Sequence, residues 1–372
     1  MKIEIQRESF LNVFSIAGSV APTRSPKPVL ETVKIEVTPS GTTLLATNMD
    51  IGMRLEVPDV TVHQPGVALL PVSRLSPFLR ESRDQTLSID VSSEKIVLKG
   101  NQSQVTLQAR NPDEFPPVAT FEEESYIQVK SSVLKQIIHR TVFATDNESS
   151  RFALGGVLLE FEEQSMTAVA TDGRRLAKMQ GASEEVGEVN IESMTIVPTA
   201  SMQLIEKSLP DDDSEVMLAA RANDILVKNG GTVIYSRLVE GRFPKWRDVF
   251  PTNRPDAAQI DLPVGDLHSA IRQAVVVADA DSRGIDFEFT NGTLVLGLSC
   301  ANIGESRVEL PVNYDGPNLQ ITLDYRFIID FLRVLDAMAT FSMEIENADR
   351  AALCTTSESY GYVIMPLARD RR

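Results

Sequence analysis

Cysteine is scarce: Cys300 and Cys354 are the only two in 372 residues. That excludes a disulfide-built scaffold and fits a reducing cytoplasm. Histidine is nearly as scarce. His63, His139 and His268 lie in separate segments with no carboxylate at metal-ligand spacing, so no metal centre and no cofactor are expected. No stretch approaches the roughly 18 uninterrupted apolar residues of a membrane span. The opening Met1-Lys2-Ile3-Glu4-Ile5 alternates like a strand and lacks the apolar run of a signal peptide, so a cytoplasmic protein is expected. Gly-rich phosphate loops and nucleophile elbows are missing too. Asp211-Asp212-Asp213, between Pro210 and Ser214, reads as a solvated turn. Thr171-Asp172-Gly173 could carry a catalytic carboxylate, or could equally be an Asp-Gly turn at a strand end. Finally, positive charge is in deficit: 36 Lys and Arg against 52 Asp and Glu give −16. Taken alone, that argues against nucleic acid as a partner.

What is present is a repeat. Hydrophobic residues at 42% and charged residues at 24% are ordinary globular values, and the length suits two to three domains. A strand-like Ile3-Glu4-Ile5 leads into the helical pattern Ser9-Phe10-Leu11-Asn12-Val13-Phe14. The order recurs at Ile127-Gln128-Val129 before Val133–Ile138, and at Ile260-Asp261-Leu262 before Leu267–Ile271. Aligning Phe10, Leu134 and Leu267 gives steps of 124 and 133 residues. A second helix follows in each copy, carrying Leu75, Phe78 and Leu79, then Met202, Leu204 and Ile205, then Phe327, Ile328, Phe331 and Leu332. Alternating strands come next, and the copies close on Phe115-Pro116, Phe243-Pro244 and Met365-Pro366.

Short strands with turn signals at Pro39-Ser40-Gly41, Asn229-Gly230-Gly231 and Asn291-Gly292 predict antiparallel meanders. Two helices per copy must bury their apolar stripes against one face of those sheets. The expected class is α+β, in three domains at 1–121, 122–252 and 253–372. The boundaries fall in the acidic Phe121–Glu124 and in Pro251–Pro255. Basic residues concentrate on the helices: Arg74 and Arg80, Lys135 with His139 and Arg140, Lys207, His268 and Arg272, Arg326 and Arg333. A cationic helical face on an anionic body would focus a phosphate backbone onto one surface. Solvated helix faces would give the same pattern.

Over essentially its whole length the chain resembles the bacterial replicative sliding clamp family, the beta subunits of DNA polymerase III. The resemblance rests on Ala170-Thr171-Asp172-Gly173-Arg174-Arg175-Leu176-Ala177, on Leu238-Val239-Glu240-Gly241-Arg242-Phe243-Pro244, and on Tyr362-Val363-Ile364-Met365-Pro366-Leu367. It implies the clamp fold and a non-catalytic, head-to-tail homodimeric ring of six domains, with helices inside and sheets forming the outer wall. Duplex DNA would be held through phosphates without reading sequence, by Arg24, Arg74, Lys135, Arg151 and Arg283. The dimer contacts it implies are Val276 and Val277, in Val275-Val276-Val277, against Val105 and Leu107 of a partner; the valines could also be ordinary core. It implies as well a pocket for short linear peptides of the replicative polymerase, the clamp loader and repair proteins. That pocket would be lined by Leu154, Thr171, Gly173, Arg174, Arg175, Leu176, Pro244, Val249, Val363, Met365, Pro366 and Leu367. The chain departs from the family pattern at Glu148, at Thr199 and Ala200, at Asp248, and in the tail Ala368-Arg369-Asp370-Arg371-Arg372.

Overall fold

The computed structural model describes residues 1–146, 148, 153–189, 194–251 and 254–367. The first copy opens with β1 (Lys2–Gln6) and α1 (Arg7–Val20), followed by β2 (Thr32–Thr38), β3 (Gly41–Thr47), β4 (Ile51–Glu56), β5 (Val60–Gln64) and β6 (Gly66–Pro71). It ends with α2 (Val72–Glu81), β7 (Thr86–Val91), β8 (Lys95–Lys99) and β9 (Gln104–Gln108). The second copy begins with β10 (Tyr126–Lys130), α3 (Ser131–His139), β11 (Gly156–Glu162), β12 (Ser165–Thr171), β13 (Arg175–Ala182) and β14 (Glu184–Val186). It continues through β15 (Thr195–Pro198), α4 (Thr199–Ser208), β16 (Glu215–Ala220), β17 (Asp224–Asn229), β18 (Thr232–Arg237) and the short α5 (Trp246–Val249). The third has β19 (Ala258–Pro263), α6 (Val264–Ala274), β20 (Gly284–Thr290), β21 (Thr293–Cys300) and β22 (Gly304–Pro311). It closes with β23 (Leu319–Asp324), α7 (Tyr325–Arg333), β24 (Thr340–Ile345), β25 (Ala352–Thr355) and β26 (Tyr360–Ile364).

Local sequence explains these elements. In α1 the buried Phe10, Phe14 and Ala17 recur every three to four residues, an apolar stripe that packs on β3 and β4. In α7 Phe327, Ile328, Phe331 and Leu332 do the same. Strands such as β1 bury every second side chain, Ile3 and Ile5. The tight turns fall where Gly takes positive φ, at Gly230 (53°) and Gly292 (79°).

Among the described residues the strands form four sheets. The orders are β5-β1-β7-β8-β9, then β14-β10-β16-β17-β18-β4-β3-β2-β6, then β15-β11-β12-β13-β26-β25-β24-β19, and β22-β21-β20-β23. The two larger sheets each join two copies, through antiparallel β4–β18 and β13–β26. In consequence the chain contracts into two compact units that do not follow the repeat. One holds residues 1–132, 184–193 and 204–238; the other holds 133–183, 194–203 and 239–372. The second copy is divided between them.

In the latter unit, Phe331 is fully buried, stacked 5.0 Å from Tyr362 and edge-on 5.1 Å from Phe341. Phe331→Ala removes that centre and leaves a cavity. We expect a loss of about 3–5 kcal/mol, read as a lower urea midpoint at unchanged slope.

Candidate functional site

An open, mostly apolar pocket of about 150 Å³ lies within the second unit. Its floor is a strand pair in which Leu176 on β13 sits opposite Val363 on β26, both buried. One wall is the turn between β12 and β13. There the Thr171 hydroxyl donates to the Arg175 carbonyl (2.6 Å) and accepts from the Gly173 N–H (3.0 Å). Asp172 Oδ1 accepts the N–H groups of Arg174 and Arg175, each at 2.9 Å. Gly173 takes φ +86°, which a side chain would strain. The opposite wall is Pro244, Trp246 and Val249, and Met365 stands at the mouth. Met365 is held there by its N–H donating to the Arg174 carbonyl (2.9 Å), one step beyond β26.

Arg175 is the keystone of the turn. Its Nε donates to Asp172 Oδ2 (2.9 Å), Nη1 to Asp330 Oδ2 (2.7 Å) and Nη2 to the Phe143 carbonyl (2.9 Å). The guanidinium carbon lies 4.5 Å from the Phe327 ring centroid. Burial alone would lower the Arg175 pKa, but Tyr362, Asp330 and Asp172 together raise it above the ordinary arginine value, so the group stays charged. Both oxygens of Asp172 are engaged by this turn. The carboxylate therefore does the structural work of an Asp-Gly turn, the second of the two readings open from sequence.

Of the twelve pocket residues named from the family resemblance, nine line this cavity: Thr171, Gly173, Arg174, Arg175, Leu176, Pro244, Val249, Val363 and Met365. Leu154, Pro366 and Leu367 lie outside its lining. Leu154 is buried, its carbonyl accepting from Asp146 N–H (2.8 Å), and Leu367 N–H donates to Thr322 on β23 (2.9 Å). Trp246 was missed. It is the chain's one tryptophan and stands two residues after Pro244, a signal the sequence carried. Its ring is clamped by Phe250, edge-on at 6.2 Å, and by Arg247, 4.3 Å from the centroid. Arg247 in turn donates through both Nη atoms to Glu160 (2.8 and 2.9 Å).

The basic residues divide. Arg24, after α1, and Arg74, on α2, are exposed and belong to no ion pair among the described residues. Arg283 is exposed with its Nε donating to the Ala280 carbonyl (2.9 Å), and Lys135 is half-buried on α3. Arg151 and the tail from Ala368 lie outside the described residues. Arg140 departs from the cationic face: it is only 8% exposed, paired with Glu358 at 2.5 Å and set 5.4 Å from the Tyr360 centroid. It is a core residue, because the turn that follows α3, with its N–H donated back to the Gln136 carbonyl (3.1 Å), points it inward. Arg326 is likewise tied to Asp324 at 2.5 Å.

Val275-Val276-Val277 forms a 3-10 turn with no buried residue, and Val276 is 78% exposed. Ordinary core is therefore excluded for these valines. Val105 and Leu107 are the half-buried positions of β9, an edge strand.

Replacing Arg175 by Ala leaves Asp172, Asp330 and the Phe143 carbonyl without their shared donor. Removing one member of such a buried network costs about 3–5 kcal/mol. Arg175→Lys keeps the charge but not the fork and should recover only part of it, as thermal melts of both variants will show.

Comparison with known proteins gives a consistent answer along the chain. Models of the DNA polymerase III beta subunit match in order: the N-terminal domain at residues 1–119, the central domain at 128–245 and the C-terminal domain at 247–368. The beta sliding clamp of Chlamydia trachomatis is 29% identical, over 99% of this chain and 87% of its own length. That of Escherichia coli is 25% identical over 99% and 100%. A crystal structure of a Pseudomonas aeruginosa sliding clamp bound to griselimycin superposes with TM-score 0.89 at 25% identity, covering 99% of this chain and all of that one. The Bacillus subtilis clamp shares the fold, with TM-score 0.89 at 22% identity. With three successive domain models in register and that pocket turn in place, the chain belongs to the DNA polymerase III beta subunit family, the bacterial beta sliding clamps.

Proposed function

We propose that this chain is a replication clamp that closes as a head-to-tail homodimeric ring around duplex DNA and tethers a polymerase, with no chemistry of its own. The observation that carries the ring is a pairing rule. The last strand of one meander, β18 or β26, pairs with the third strand of the preceding copy's other meander, β4 or β13. The equivalent strands left over are β9, at one edge of the first sheet, and β22, at one edge of the fourth. Both show alternating half-buried and exposed residues. Unpaired edges of this kind invite another strand, and the same pairing made between chains satisfies both ends at once. Two such chains close with both of these edges used. Exposed Val276 belongs with that contact, facing Val105 and Leu107 of the partner. On this reading the clamp domains span 1–121, 122–252 and 253–372.

Topological linkage needs little affinity. Arg24, Arg74, Lys135, Arg151 and Arg283 would touch phosphates without reading bases, which reconciles a net charge of −16 with a DNA partner. The Thr171–Met365 pocket would take a short extended peptide from the polymerase or the clamp loader: an apolar slot for affinity, with Arg174 at its rim. Such a protein acts in the cytoplasm, beside the chromosome.

Light scattering and retention on nicked circular DNA test the ring. The wild type should run as a dimer and stay on circles but slide off once they are linearised. Leu107→Asp and Val276→Asp, each placing a charge in the contact, should give folded monomers that are not retained. A wild-type monomer at micromolar concentration, or retention by the charged variants, removes the proposal. For the pocket, Val249 is 61% exposed, so Val249→Asp should leave the melting temperature unchanged. It should weaken capture of a polymerase-tail peptide by about tenfold or more, the scale of one misplaced charge in an apolar slot.

A further inference from the structure

The repeat reproduces the pocket turn in the first copy, where no role is assigned to it. Between β3 and β4 the Thr47 hydroxyl donates to the Ile51 carbonyl (2.8 Å) and accepts from the Met49 N–H (3.0 Å). Asn48 Oδ1 accepts the N–H groups of Asp50 and Ile51 at 3.0 and 2.8 Å. These are the bonds of Thr171 and Asp172, residue for residue. Met49 even holds φ +83°, the conformation of Gly173, although it has a side chain to strain. Strand registers agree as well: Thr47 faces Gly52 and Gly52 faces Tyr235, as Thr171 faces Leu176 and Leu176 faces Val363. Pro116 and Val118 follow Phe115 as Pro244 and Trp246 follow Phe243.

Beneath this turn is an open pocket of about 230 Å³, formed wholly within the first unit. Side-chain volumes account for its being larger than its counterpart. Gly52 stands where Leu176 fills space, and Val118 stands where Trp246 does, against enlargements from Val363 to Tyr235 in the floor and from Gly173 to Met49 at the mouth. Its mouth carries Met49, 49% exposed. At the turn position where the other pocket has Arg174, this one has exposed Asp50, beside the lining residue Met49, so the charge next to the mouth is inverted. Arg237 approaches Asp50 only at 3.6 Å, and both side chains are exposed. A pair that long and that wet is weak and leaves Asp50 able to take another cation.

We infer that the pocket under Met49 is a second peptide site, taking a short extended segment whose apolar anchor is flanked by a basic residue. The inference rests on reading the Thr171–Met365 pocket as a peptide site, and its test separates the two. Full-length protein carrying 13C-methyl methionine, with signals assigned through Met49→Leu and Met365→Leu, is titrated with N-acetyl-Leu-Phe-Arg-amide and N-acetyl-Leu-Phe-Asp-amide. Met49 reports on this pocket and Met365 on the other. The Arg peptide should shift Met49 saturably and bind there about fivefold more tightly than the Asp peptide, the scale of one exposed ion pair. Asp50→Arg, a change at an exposed position, should reverse that order. Silence at Met49 with both peptides at millimolar concentration overturns the inference whatever Met365 does. An equal response of Met49 to both overturns the basic-flanked occupant. Silence at Met365 with a response at Met49 removes the first pocket as a peptide site instead.

Discussion

The constraint on which the rest depends is that a sheet edge must be covered. Each strand edge exposes N–H and C=O groups that need partners. This chain supplies them by lending the edge of one copy to the next. The β4–β18 and β13–β26 ladders are main-chain bonds between residues far apart in sequence, so they depend on register more than on any one side chain. Once those registers are set, the pocket floor follows, because Leu176 and Val363 are neighbours only through the β13–β26 ladder. The open edges at β9 and β22 follow from the same rule.

Divergence among the copies then turns a structural repeat into different surfaces. Two turns share a hydrogen-bond pattern down to the Thr hydroxyl, yet one is anchored by Arg175 to two carboxylates and a carbonyl, while the other has Ile51 at that place. An arginine fork under the turn fixes its angle to α7 through Asp330. The first copy holds the same conformation without such a fork, by its local bonds and the Arg237 N–H donated to the Asp50 carbonyl (2.9 Å), with a side chain in a left-handed conformation at Met49.

Much of this was legible in the chain. Phe10, Phe14, Leu134, Leu267 and Phe331 marked helices because burial at helical spacing has no other cheap explanation, and Gly230 and Gly292 marked the turns. Edge partners were not legible. A period-two pattern says that a strand is half-buried but not which strand lies beside it, so the joining of copies through β4 and β18 could not be read. Arg140 misled for a related reason. Its spacing from Gln136 put it with the polar face, but the turn that follows α3 carries it over Tyr360 and towards Glu358, both more than two hundred residues away in sequence. Trp246 was passed over although its place after Phe243-Pro244 was a signal, because the walls that clamp it, Phe250 and Arg247, are set only by the fold.

The half-copy offset of the shared sheets bears on how such a chain can be cut and recombined. A crossover between the regions matched by the N-terminal and central domain models, 1–119 and 128–245, puts β4 and β18 of the nine-stranded sheet in segments from different parents. Exchange of the whole central repeat between homologues therefore swaps one half of each of two sheets and demands that two new seams fit, β4–β18 and β13–β26. Exchange of one compact unit disturbs none of these ladders, but it requires five separate crossovers along the chain, since the units interleave. Modular in ancestry, the molecule is not modular in inheritance: its copies are free to drift in side chains but are bound to evolve their backbones together.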